Sequence, residues 1–99
     1  AEIQFWRHYL GSQGHEFNGD FVFRLRSDSE VYERDDKLAN ALLLMEVPNV
    51  RLLDVGAGPM TNHGKKLSGV EIEMVACDPL ADVYNWLLDE NGTTPPVRT

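Results

Sequence analysis

Two acids and two glycines within Arg51 to Leu80, RLLDVGAGPMTNHGKKLSGVEIEMVACDPL, have the types and spacing to hold a nucleotide-bearing cofactor. Gly56 and Gly58 let the chain turn sharply and let a ligand approach the backbone with no Cβ in the way. Asp78 follows Asp54 by twenty-four residues. That distance sets it at the carboxyl end of a neighbouring strand, where a carboxylate accepts both hydroxyl protons of a ribose. Any adenosine cofactor suits such an acid. Asp54 is more selective: two residues before the first glycine, it would repel the pyrophosphate of a dinucleotide and welcome a cation.

The third glycine of G-x-G-x-x-G is absent, with Thr61 in its place, and Lys65 and Lys66 do not follow the GK[ST] spacing of a Walker loop. What remains is a cofactor with adenosine at one end and positive charge at the other. S-adenosylmethionine, with its sulfonium and α-ammonium groups, fits. His63 is the histidine nearest the cradle, but nothing in the sequence supplies it with an orienting partner, so it is assigned no general-base role. His8 and His15 share no ligand spacing with it, and no metal site is expected.

The elements that must position these residues can be read from periodicity. Val50 to Val55 is β-branched and leucine-rich and lacks polar alternation beyond its first residues, as expected for a strand buried on both faces of a parallel sheet. A helix of about two turns is expected from Pro59 through Lys66, proline being tolerated at a helix start. Ile72, Met74 and Val75 then make a second strand ending at Cys77-Asp78. Ala81 to Asp89 follows as a helix with Tyr84, Leu87 and Leu88 inward, and Trp86 faces either solvent or ligand. Asp78 has a second reading as the N-cap of that helix. Thr93 to Thr99 is an extended exit toward a third strand.

Upstream, Ile3, Trp6, Tyr9 and Leu10 share one helical stripe, which either packs on the domain or lids a cofactor pocket with Trp6 or Tyr9. Phe21 to Arg26 fits a short strand and a helical turn equally. Ser27 and Glu30 match a capping box before a helix carrying Val31, Leu38, Leu42 and Met45 and ending near Glu46. Arg24, Arg26 and Arg34 lie among five acids, so mixed-sign pairs are favoured over an anion site. Residues 1–47 therefore read as a helical cap, and residues 48–99 as the first half of a cofactor-binding domain.

LLDVGAGPMT followed by VACDPLA resembles the first and second motifs of class I S-adenosylmethionine-dependent methyltransferases, and the flanks EIQFWRHYL and WLLDENGTTPPVRT resemble an uncharacterised bacterial branch of that superfamily. The resemblance implies an α/β fold: the N-terminal part of a Rossmann-like parallel sheet (βαβα), preceded by the cap and truncated before the segments that bear the acceptor site. It further implies that Asp54, Gly56 and Gly58 border the methionine moiety, Asp54 through water. Asp78 would take the ribose hydroxyls, and Pro79 or Leu80 would pack on adenine. Methyl transfer to a small-molecule or glycan acceptor would belong to a longer parent protein, the 99 residues alone lacking a complete active site. An NAD(P)-dependent oxidoreductase fragment and a non-enzymatic interaction module, self-associating through an open sheet edge, are the alternatives.

Composition sets the outer limits. With 42% hydrophobic and 25% charged residues the chain suits a small folded unit, not a disordered tail. A net charge of −7 argues against duplex nucleic acid or an anionic membrane as partner. Cys77 is the single cysteine, which excludes an internal disulfide and suits a reducing compartment. With no spanning run and no basic-then-apolar leader among residues 1–20, the cytoplasm is the expected location.

Overall fold

A computed structural model describes residues 2–99. Their order is α1 (Glu2–Gly11), a 3-10 turn (His15–Phe17), α2 (Asn18–Leu25), a 3-10 turn (Val31–Glu33), α3 (Asp36–Leu44), β1 (Asn49–Val55), β2 (Glu71–Cys77) and α4 (Ala81–Glu90). The chain is mixed α/β. Its two strands pair in parallel, Asn49 opposite Glu71 through to Val55 opposite Cys77.

The expected stripe of α1 is real: Tyr9 and Leu10 are buried and Ile3 and Trp6 half-buried. The open question at Phe21 to Arg26 resolves as helix. In α2 the side chains of Phe21 and Phe23 are buried, and Asp20 and Arg24 pair one turn apart at 2.9 Å. The continuous helix expected after Ser27 does not form. The capping box is made instead by Glu30 and Glu33 around a single 3-10 turn. Asp35, one turn further, caps α3 by accepting the Leu38 N–H at 2.9 Å. Met45, expected on the inner face, lies past the helix end and is 56% exposed.

No helix connects β1 to β2. The expected helix over Pro59 to Lys66 is replaced by an extended loop whose backbone groups bond to another segment. The N–H groups of Lys65 and Lys66 both donate to the Ser29 carbonyl, at 2.7 and 2.9 Å, and Val31 N–H donates to the Lys66 carbonyl at 2.9 Å. Buried amides must find partners, and residues 29–31 provide them without a helix. Gly64 makes the approach possible, since a Cβ there would fall 2.3 Å from the Glu30 carbonyl carbon.

Two cores result, and each draws on residues from both 1–47 and 48–99. One gathers Tyr9, Leu10, Phe21, Met60, Tyr84, Leu87 and Leu88. The other gathers Val31, Ala39, Leu42 and Leu67, with Val50, Leu52 and Ile72 of the sheet packed on it. Burial along β1 alternates, so the expectation of a strand covered on both faces fails: Leu53 and Val55 are 64% and 72% exposed. The helices cover one face only, and an apolar run cannot reveal which face lacks a cover. Among the described residues, no helix is long and apolar enough to cross a membrane.

Candidate cofactor site

The four residues singled out by spacing converge at the carboxyl ends of β1 and β2. The turn after β1 starts on β2 itself, as Gly56 N–H and Ala57 N–H donate to the Cys77 carbonyl at 2.8 and 3.1 Å. Gly56 has φ 74, a left-handed value that glycine takes without strain, and nothing lies within 4 Å of where its Cβ would stand. Open space at that point is what a ligand approaching the backbone requires. Gly58, at φ 69, is instead buried: a Cβ there would meet Trp6 Cζ2 at 3.3 Å. Its carbonyl accepts a hydrogen bond from the Thr99 hydroxyl.

Asp78 stitches the two strand ends together. One carboxylate oxygen accepts the Gly58 N–H at 3.1 Å, and the other accepts the Leu80 N–H at 2.9 Å. Each oxygen keeps a further lone pair, so the ribose role and this structural role are compatible. The N-cap position of α4 is Leu80, without a side-chain cap, so Asp78 fixes the turn leading into the helix and does not cap it directly. Pro79 is exposed beside Asp78, while Leu80 packs against the core around Tyr84.

Asp54 belongs to a compact polar group. The buried Thr61 hydroxyl donates to Asp54 Oδ2 at 2.6 Å and accepts the His63 N–H at 3.2 Å. The His63 ring follows, with Nε2 3.8 Å from Asp54 Oδ1. Thr61, which stands where a dinucleotide fingerprint would have its third glycine, thus anchors the acid and the loop that carries His63. Asp54 lies beside the His63 ring, at a separation beyond hydrogen-bond reach.

The basic residues are committed elsewhere. Arg24 donates to Asp20 at 2.9 Å and to the Met60 carbonyl at 2.8 Å, while Arg34 reaches Asp20 at 2.7 Å and also bonds Asn62. Arg26 pairs with Asp28 and Glu33. The mixed-sign reading therefore holds over an anion site. Burial pushes the Asp20 carboxyl up, but hydrogen bonds from Tyr9, Arg34 and Arg24 outweigh it and hold the group below its ordinary value. Burial, together with the nearby Arg24, Arg26 and Arg34, lowers Lys65 from 10.5 to about 8. Its ammonium donates to the Arg24 carbonyl at 3.1 Å, tying the crossover loop to α2.

Trp6 and Thr61 are the contributors that spacing did not reveal as parts of one site. The stripe of α1 allowed Trp6 a ligand-facing role but gave no sign of its contact with Gly58, whereas Tyr9, the other lid candidate, is buried and bonded to Asp20 at 2.6 Å. Trp86 is 52% exposed and lies on α4 beside Leu87. Among the described residues no three His, Cys, Asp or Glu side chains come together in a metal-binding group. Comparison with protein families, characterised proteins and solved structures returns no match.

Proposed function

We propose that the chain is the cofactor-binding portion of an S-adenosylmethionine-dependent methyltransferase, a Rossmann-like parallel sheet that continues in a longer parent protein. The observation that carries this reading is the convergence of Asp54, the open glycine Gly56 and Asp78 at the carboxyl end of one parallel strand pair. Open α/β sheets bind ligands at that end.

The residues present fit the group. Gly56 leaves room for a ligand against the backbone. Asp54 Oδ1 accepts no hydrogen bond among the described residues and offers negative charge to the ammonium and sulfonium end. Asp78 has lone pairs left for the ribose hydroxyls, and Pro79 offers an exposed apolar surface to adenine. Gly58, covered by Trp6, acts on the ligand through the shape of the turn, not through direct contact. When bound, the cofactor supplies an electrophilic methyl group, and the chain's part is to bind and orient it, from which much of the rate of such a displacement derives. A pyrophosphate-bearing dinucleotide suits the site less well, because Asp54 is only 14% exposed and its charge is poorly screened.

Amide NMR titration of the chain tests the reading. S-adenosylmethionine should shift Gly56, Ala57 and Asp78, with NAD producing no such pattern. Gly56→Ala should remove the response at a stability cost of about 1–2 kcal/mol from the left-handed φ. Shifts with NAD and none with S-adenosylmethionine would establish the oxidoreductase alternative.

The exposed Leu53 and Val55 favour a second reading, a non-enzymatic module that self-associates through the uncovered face of its sheet in place of the open edge expected from the sequence. It requires a concentration-dependent oligomer in sedimentation and no amide response to S-adenosylmethionine.

A further inference from the structure

Beside the proposed cofactor site lies a cavity of about 190 Å³. Leu38, Leu52, Leu53 and Met74 supply its apolar wall, and Asp35, Asp54 and His63 bring polar groups to it. A water molecule occupies about 30 Å³ of liquid, so the space suits a molecule of only a few heavy atoms. Small-molecule sites combine an apolar lining with a few placed polar groups in this way.

The charge of those polar groups selects the ligand. Asp54 is held by Thr61 through Oδ2, which leaves Oδ1 for a donor from the ligand. Asp35 caps α3 through Oδ1 and brings a second carboxylate to the same cavity. No Lys or Arg is among the lining residues. His63, when neutral, carries a donor and an acceptor nitrogen. With its proton on Nε2, the nitrogen nearer Asp54, it retains an acceptor for a further N–H.

We infer that this cavity binds a small primary amine with a short aliphatic body. The hydrocarbon lies against Leu38, Leu52 and Met74, and the ammonium is held by Asp54 with His63 as a second acceptor. A carboxylic acid is repelled by both aspartates. An alcohol can fill the apolar part but gains no charge-assisted bond, which is roughly twice as strong as a neutral one. On the methyltransferase reading, on which this assignment of role rests, the cavity shares Asp54 with the cofactor site and the amine is the methyl acceptor: its ammonium would first give a proton to the neutral His63, and the nitrogen lone pair so freed would take the methyl group as the methyl–sulfur bond breaks, its electron pair staying on sulfur.

The test needs no cofactor and no activity. The chain is titrated with n-butylammonium, 1-butanol and butyrate and followed by amide NMR. Butylammonium should shift Leu38, Asp54 and His63 and bind at least about tenfold more tightly than butanol, a difference of about 1.4 kcal/mol. Butyrate should leave these signals in place. Asp54→Asn should erase the preference for the ammonium, and its amide spectrum reports whether the fold is retained. Leu38→Phe, which fills the cavity without altering charge, should abolish binding by itself. Equal affinity for alcohol and ammonium, or shifts confined to residues away from the cavity, overturns the inference. Loss of the amine response with the S-adenosylmethionine response at Gly56 and Asp78 intact refutes the amine site alone, whereas the reverse pattern refutes the cofactor reading alone.

Discussion

Asp20 does more than any other acid of the chain to hold separate segments together. Its carboxylate receives the Tyr9 hydroxyl at 2.6 Å, Arg24 at 2.9 Å and Arg34 at 2.7 Å, so α1, α2 and the approach to α3 meet on one side chain. Truncation leaves three donors without their acceptor, and Asp20→Ala should cost about 2–3 kcal/mol in urea unfolding, as expected when partly buried polar groups lose a charged partner. Because its folded pKa is lowered, the carboxylate contributes stability above its unfolded value and loses that contribution as pH falls through the folded one. Lys65 has the opposite consequence. It titrates at about 8 in the folded chain against 10.5 in the unfolded one, so between those values the unfolded chain binds more protons and stability rises with pH. A ¹³C NMR titration of the Lys65 side chain should show a midpoint near 8. The rise in stability above it should vanish in Lys65→Met, and a midpoint above 10 would contradict the burial argument.

At the level of elements, the link between β1 and β2 is the unusual part. Parallel strands are ordinarily joined through a helix, yet here the loop lies along residues 29–31 and Gly64 passes against the Glu30 backbone. Gly64→Ala sets a methyl group within 2.3–2.4 Å of main-chain atoms that cannot rotate away. It should destabilise by about 2 kcal/mol or more, as overpacking does, whereas alanine at Gly19, which has no neighbour within 4 Å, should cost far less. Both midpoints can be read from one set of urea melts. The sequence showed α1, α4 and the cores of both strands because their apolar spacing runs over several turns or a whole strand. It did not show the crossover, since Pro59 opens a helix and a loop equally well and the partners of Lys65 and Lys66 lie more than thirty residues upstream. The site divides in the same way. Glycine spacing and acids at strand ends are local properties, but the meeting of Asp54, Thr61 and His63 depends on the path of a loop that periodicity cannot trace.

For the molecule as a whole, one sheet face remains without a helical cover, with Leu53 and Val55 outward and Arg51 paired to Glu73 at 3.3 Å beside them. If that face mediates the proposed self-association, Leu53→Lys should return the chain to a monomer in sedimentation without changing its melting point by more than about 0.5 kcal/mol in stability, the usual range for surface substitutions. The crossover loop has the converse place. It sends Met60 into one core and Leu67 into the other, so the two cores are joined through a segment without regular structure.

That arrangement bears on how the molecule opens. Connecting loops ordinarily exchange their amide hydrogens early, through small local fluctuations. Here the amides of Lys65 and Lys66 are both bonded to Ser29, which is fully buried, and the segment is anchored at either end in a different core. Exchange at these amides requires the loop to separate from the Ser29 carbonyl. Their exchange should therefore be as slow as that of the central β1 amides and should share their dependence on denaturant, so that this loop and the sheet behave as one cooperative unit.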